Sequence, residues 1–373
     1  MYRKQTKQII KDLYKKIVFI IGPRQVGKTW LAKEIGKKFK KIAYLNYDRL
    51  EDRKIIKNES WLMNTELLIL DELHKMSGWK NYLKGVYDTK EEWQKILVTG
   101  SARLDTFRQS GDSLTGRFFT HHLLPFSMSE LKDEEINNDI ERFLERGSFP
   151  EPFLTENKIE AKRWRGQYID SLIRVDILDF DKIYDFKAIQ TVFELLRRNV
   201  GSPISYSSIA RDAQISPLTV KKYILFFEAL YIIFRVSPYS RNIARSILKE
   251  PKIYFFDNGL VVGDDGVKFE NFTALSLLKH VYGKNDYTGD KYELKYFRTK
   301  DGKEVDFVVV KNNKIQKIIE AKKSDKQLSK NLKFFVDKYK LKGTQVVKEL
   351  KRERSVNNIE IVKAENFFKE LFL

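Results

Sequence analysis

The sequence predicts an α/β chain whose N-terminal part is built on a parallel sheet, and three observations carry that prediction. Ile17–Ile21 (IVFII) is a short β-branched run, the pattern of a strand buried on both faces. Similar runs recur at Ile42–Asn46, Glu66–Glu72 and Ile96–Gly100 with helical stretches between them, and repeated βα units make a parallel sheet. Directly after the first run, Gly22-Pro23-Arg24-Gln25-Val26-Gly27-Lys28-Thr29 fits G-x-x-x-x-G-K-[ST], and Trp30–Lys38 reads as the helix that must follow it.

That order of residues makes an anion cradle. Gly22 and Gly27 let backbone N–H groups converge without Cβ clashes, and the helix N-terminus adds its positive end. Lys28 can reach the β- and γ-phosphates of a nucleotide, and the Thr29 hydroxyl can ligate Mg²⁺. Contacts to ATP are therefore expected from Gly22 through Trp30. Ligands of such sheets sit beyond the carboxyl ends of the strands, where Asn46, Asp71 and Ser101 would join Gly22. Asp71, after Leu67–Leu70, is expected in the Mg²⁺ shell, and Glu72 is expected to polarise the attacking water. Thr99 and Ser101 fit sensors of the γ-phosphate, and Asn46 a restraint on Glu72. Arg117, in SLTGRF, is the expected finger that neutralises transition-state charge. It would act in cis or on a neighbouring subunit of a homo-oligomer, with Arg24 and Arg103 as further candidates.

Composition narrows the partners. At 373 residues the chain can bury more than one core, and two to four domains are expected. Lys and Arg outnumber Asp and Glu by 70 to 51, more than the balanced surface of a heat-adapted protein requires. The net charge of +19 points to a polyanion, most simply nucleic acid and in particular DNA. The absence of cysteine excludes disulfides and Cys-based zinc or iron–sulfur sites. No segment approaches the roughly twenty apolar residues of a membrane span. MYRKQTKQIIKDLYKK reads as a charged helix without a signal-peptide core, so a cytoplasmic location without membrane partners is expected.

Further along, His121–Phe126 is another apolar run whose histidines lack ligands at metal spacing and read as structural. From Ser127 to about Tyr184 the chain is helical, broken at Gly147-Ser148-Phe149-Pro150, and suits a lid beside the nucleotide site. Phe186–Val200 opens a compact module. A short helix at Ile209-Ala210 and a turn at Gln214-Ile215 precede Ser216-Pro217, an N-cap and N1 proline for a helix to Leu230. A strand at Tyr231–Ser237 and a basic loop, Pro238–Lys252, complete a winged-helix pattern. Val220, Ile224 and Phe227 would face inward, and Arg211, Thr219, Lys221 and Lys222 outward toward DNA.

After a strand at Ile253–Phe256, Glu270 is expected to open a helix to about Tyr282. Strands follow at Tyr292–Arg298, Glu304–Val310 and Ile315–Lys322, with turns at Asp301-Gly302 and Asn312-Asn313. Glu320 and Lys322, two apart on a strand, share a face. Carboxylates beside a lysine can bind Mg²⁺ and orient water for phosphodiester hydrolysis. Glu270, Asp306 and Glu320 are the expected metal ligands, and Asp306, Glu320 and Lys322 the catalytic set.

GPRQVGKT, LILDE, TGSA, LTGRF, GSFPE, KIYFFDNGL, and EVDF followed by EAK together resemble a prokaryotic, notably archaeal, family. Its members are AAA-type P-loop ATPases fused to a winged helix and a PD-(D/E)xK nuclease-like, restriction-endonuclease-like C-terminal domain. The resemblance implies ATPase roles for Lys28, Thr29, Asp71, Glu72 and Arg117. It places Glu270, Asp306, Glu320 and Lys322 at nuclease-type positions, although the aspartate motif here reads Glu-Val-Asp rather than Pro-Asp. The implied division is an ATPase core at 1–126, a helical lid at 127–184, a winged helix at 185–240 and the nuclease-like domain at 241–373. The expected function is an ATP-hydrolysing switch acting on nucleic acid, with a DNA-binding C-terminal domain that carries residues of the type that cleave DNA. The alternative is a nucleotide-gated signalling or scaffold ATPase whose C-terminal domains bind protein.

Overall fold

A computed structural model describes residues 3–100, 114–131, 139–177, 185–240, 250–299, 301–324 and 327–373. The chain forms two compact units, residues 1–124 and 125–373. Among the described residues no helix is long and apolar enough to cross a membrane.

The first unit runs α1 (Thr6–Leu13), β1 (Ile17–Ile21), α2 (Lys28–Gly36), β2 (Ile42–Asn46), α3 (Leu50–Asn58), β3 (Leu67–Asp71), α4 (Trp79–Thr89), β4 (Lys95–Gly100) and β5 (Phe118–His122). All five strands are parallel, in the order β2-β3-β4-β1-β5. Alternation explains why β1 is apolar throughout. Ile17, Phe19 and Ile21 pack with Trp79, Leu83 and Val86 of α4, while Val18 and Ile20 pack with Leu31 and Ile35 of α2 on the other face. Helices cover both faces, so no residue of β1 is left for solvent. The last strand begins at Phe118 rather than His121, because Phe118 packs edge-on against Phe19 at 5.1 Å and the run is in register with β1 from Ile17.

The second unit begins with α5 (Met128–Leu131), α6 (Ile140–Arg146), α7 (Pro150–Leu154) and α8 (Lys158–Ser171). Next come α9 (Phe186–Arg198), α10 (Tyr206–Ala213), α11 (Pro217–Ala229), β6 (Ile233–Pro238) and β7 (Lys252–Phe255). Ser216 caps α11 through the Thr219 N–H with Pro217 at its first position, and Val220, Ile224 and Phe227 are buried as expected. The strand starts at Ile233 because Tyr231 adopts a left-handed conformation, φ 55°. The remainder is α12 (Asp265–Thr288), β8 (Tyr292–Arg298), β9 (Glu304–Lys311), β10 (Lys314–Ser324), α13 (Lys330–Tyr339), β11 (Gly343–Glu349), β12 (Arg354–Val356), β13 (Ile359–Lys363) and α14 (Ala364–Lys369).

One mixed sheet, β12-β13-β11-β10-β9-β8-β6-β7, unites this unit. Ser237 and Pro238 of β6 pair in parallel with Lys295 and Tyr296 of β8, so the sheet runs across position 240 without a break. The hairpin turn between β9 and β10 holds Asn312 and Asn313 at positive φ, 48° and 64°, as the turns that match strand twist require.

The helix expected to open at Glu270 starts earlier. Asp264 caps it by accepting the Val267 N–H at 3.0 Å, which puts Glu270 in the second turn, and it ends at Thr288 before Gly289. Asn271 anchors this helix to β7. Its Oδ1 accepts the Phe255 N–H (2.7 Å), while its Nδ2 donates to Phe255 O and Asn258 Oδ1 (both 3.0 Å). Asn271 is fully buried, so Asn271→Ala strands a backbone donor and acceptor. Urea unfolding should show the second unit losing about 3 kcal/mol of stability.

Candidate functional sites

The first site is assembled at the carboxyl ends of β1, β3 and β4. A Cβ on Gly22 would overlap the Leu123 carbonyl oxygen, so only glycine lets the loop leave β1 this close to β5. Gly27 has φ 95° with open space around it, so its requirement is conformational rather than steric. Lys28 is buried at the start of α2 and folds back across the loop, donating to Gly22 O (3.0 Å) and Pro23 O (2.6 Å). Burial pushes its ammonium down to about 8, against the pull of Glu72 and Asp71, and Arg24 adds to the lowering.

Asp71 is the centre of the site. Thr29 Oγ1 (2.8 Å) and Tyr44 OH (2.7 Å) donate to its Oδ2, and the Thr99 hydroxyl donates to its Oδ1. Strand order explains the arrangement: β4 stands between β1 and β3, so Thr99 lies directly beside Asp71 in the register. Tyr44 is the member that sequence reasoning missed; its only signal was its place two residues before Asn46 on an alternating strand. Burial, and then Asp71, push the Tyr44 phenol well up.

Glu72 has φ 59° and donates its N–H to Thr99 O at 3.0 Å. Burial raises its carboxyl while Lys28 and Lys75 draw it down. His74 Nε2 (3.6 Å) and Lys75 Nζ (3.7 Å) stand against Glu72, and Lys75 also holds Asp48 at 2.6 Å. The restraint expected from Asn46 therefore comes from Lys75 and His74. Asn46 Oδ1 is committed to the Asp48 N–H (2.8 Å), closing the turn after β2.

Arg117 does not enter this site. It precedes β5, accepts the Ile17 N–H at its carbonyl (3.1 Å), and so stands at the amino ends of the strands, roughly 13 Å along β1 from the loop. Its guanidinium is held by both oxygens of Asp88, at 2.9 and 3.3 Å. The β1–β5 register puts Arg117 at the opposite end of the sheet from the loop and so removes the cis role. Trp30 projects from α2, 42% exposed. Ser101 and Arg103 lie outside the described residues.

The residues present fit a Mg²⁺-nucleotide. The cradle is shaped for close backbone approach, an ammonium spans its mouth, and the Thr29 hydroxyl and Asp71 carboxylate, which meet at 2.8 Å, are the groups that would hold the ion.

The second site brings the four nuclease-type residues together in the C-terminal unit. The β9–β10 ladder pairs Phe307 with Ile319, so Asp306 and Glu320 follow as neighbours on one face. Asp306 Oδ2 accepts the Ala321 N–H (3.0 Å), and Glu320 Oε1 takes Lys322 (2.8 Å) and the Ser329 hydroxyl (3.1 Å). Glu270 Oε1 accepts the Tyr254 hydroxyl at 2.8 Å. Burial first, and the neighbouring Asp306 second, push Glu270 and Glu320 each up to about 7. The expected metal triad is not assembled as ligands. Among the described residues no group of three or more His, Cys, Asp or Glu is placed to hold an ion. The reason is Lys252, which pairs with Glu304 (2.7 Å), Glu270 (3.4 Å) and Asp306 (3.8 Å). Lys252 and Glu304 were missed because the first was read as the end of a basic loop. The second lies two before Asp306 on β9 and so shares its face.

The quoted motifs GSFPE and KIYFFDNGL meet beside this cluster. Asp257 pairs with Arg165 (2.6 Å) and accepts the Gly259 N–H (3.0 Å); Asn258 donates to Leu144 O (3.3 Å). A side chain at Gly147 would overlap Asp257.

Residues 14–132 match the family described as an AAA domain. Residues 137–268 and 265–367 match two domains of unknown function, DUF8612 and DUF4143. The uncharacterized protein MJ1544 of Methanocaldococcus jannaschii is 25% identical over 355 residues, 85% of this chain and 78% of that protein. The uncharacterized protein Rv2008c of Mycobacterium tuberculosis is 23% identical over 246 residues; the match covers 66% of this chain and only 55% of that protein. Among solved structures, the RuvB Holliday junction branch migration motor of Thermotoga maritima gives a TM-score of 0.33 at 18% identity, covering 62% of this chain and 88% of that one. Bacteroides Pif1 bound to ssDNA gives 0.24 at 14% identity, covering 84% and 78%.

The Lys28 ammonium fixes a pH dependence. With its value lowered to about 8, Lys28 is charged below that pH and neutral above it. Phosphate favours the charged form, so nucleotide binding above pH 8 must take up a proton. Affinity should be flat below pH 8 and fall by up to about tenfold per pH unit above it. Calorimetry in buffers of different ionisation enthalpy, at pH 7 and pH 9, should find proton uptake only at the higher pH.

Proposed function

We propose that this chain, whose N-terminal unit is an AAA-type P-loop ATPase domain, is an ATP-hydrolysing switch that acts on nucleic acid through its C-terminal unit. The observation that carries the reading is the convergence of Lys28, Thr29, Tyr44 and Thr99 on the loop mouth and on Asp71. When bound, Mg²⁺ neutralises phosphate oxygens. The chain's own residues do the remainder: the Gly22–Thr29 loop orients the phosphates, Lys28 compensates their charge, and Glu72 holds and polarises the attacking water. Lys75 and His74 hold Glu72 until the site is completed, and Arg117 of a second copy supplies the finger in a homo-oligomer.

For the C-terminal unit, α10, α11 and the β6–β7 pair serve as a winged helix. Arg211, Lys221 and Lys222 are exposed on it, which together with the net charge of +19 supports contact with DNA phosphates. One observation favours the protein-binding alternative. Leu218 and Leu225, 76% and 45% exposed, share the outward face of α11 with both lysines at i, i+3, i+4 and i+7.

Variants of the nucleotide site test the ATPase, and two measurements with DNA decide between the readings. Lys28→Ala should abolish hydrolysis, while Glu72→Gln should retain nucleotide and hydrolyse it at least about a hundredfold more slowly. Single- and double-stranded DNA should raise the wild-type rate, and an indifferent rate supports the protein-binding alternative. Duplex affinity should fall with salt at a log–log slope of about −0.9 per phosphate contact, and Lys221→Glu with Lys222→Glu should flatten it by about two contacts.

A further inference from the structure

Lys252 is 1% exposed, an unusual position for the most strongly hydrated side chain. It is the first residue of β7 and pairs with Val236 of β6, which sets the face of the sheet that its stem takes. Its ammonium points into the carboxylates, 2.7 Å from Glu304, 3.4 Å from Glu270 and 3.8 Å from Asp306, with the Tyr296 ring 5.5 Å away. Tyr254, two residues on and on the same face, completes the enclosure through its bond to Glu270.

We infer that Lys252 is the resident cation of this cluster and takes the charge-neutralising place of a divalent metal, so that the C-terminal unit engages its partner without metal-dependent cutting. A metal would need carboxylate oxygens about 2.0–2.6 Å from one point. Here three carboxylates are already drawn onto an ammonium at hydrogen-bonding and ion-pairing distance, and removing it would leave three half-buried like charges facing one another without their shared cation. The fourth, Glu320, is taken at Oε1 by Lys322 and Ser329. Its Oε2 is buried and, among the described residues, has no hydrogen-bond partner. This role is independent of the ATPase reading.

The test is Mn²⁺ binding by electron paramagnetic resonance on the full chain, without nucleotide or DNA, at pH 7.5. Wild type and Asp306→Asn should bind equal amounts, because no ion uses Asp306. Lys252→Gln should gain one Mn²⁺ per chain, lost again when Asp306→Asn is added, and its melting temperature should rise with Mn²⁺. A wild-type Mn²⁺ site abolished by Asp306→Asn overturns the inference, and so does a folded Lys252→Gln protein that gains none. If Lys252→Gln does not fold, the wild-type comparison decides alone.

Discussion

Asp71 is 2% exposed, and three hydroxyls from three different elements converge on it. A carboxylate that deep has to be hydrogen-bonded, and this requirement shapes the first unit. Thr29 must lie in the first turn of α2, Thr99 must lie opposite Asp71 in β4, and Tyr44 must point inward from β2. The strand order β2-β3-β4-β1-β5 places all three donors within reach. The helix that opens after the glycine loop and the acid at the end of β3 are thus two ends of one hydrogen-bonded system.

The second unit meets the same requirement with the signs reversed. There the buried charge is an ammonium, and the elements are arranged to bring acids to it: Glu270 from the second turn of α12, Glu304 and Asp306 from alternate positions of β9. Within KIYFFDNGL nearly every polar residue is a connector. Lys252 and Tyr254 face the cluster, Asp257 takes Arg165, and Asn258 ties α6 to α12. The motif fixes where the sheet, the long helix and the helical segment meet, and the cluster's geometry follows from that junction.

How much of this was legible in the sequence follows from range. The glycine loop, the strand that ends at Asp71 and the capped helix α11 are local patterns, in which spacing alone sets geometry, and the structure has these elements within a few residues of where the sequence puts them. The start of α12 was misplaced because Asp264-Asp265-Gly266 resembles a turn, whereas Asp264 is a cap. The position of Arg117 could not be read from SLTGRF, because only the β1–β5 register shows which end of the sheet it occupies. Lys252 was invisible for a related reason. In a chain with 70 basic residues nothing local separates a buried lysine from a solvated one. Only the three acids it meets, from two distant segments, make the difference.

The two-residue splice between β6 and β8 gives the second unit a load path. Helix α11 packs on β6, β6 is bonded to β8, and β8 is bonded along its length to β9, which carries Glu304 and Asp306. A push on the outward face of α11 is therefore delivered through backbone rather than through side chains, which yield more easily. The ribbon works as a short beam clamped at one end into the sheet, and its clamp is Ser237 and Pro238.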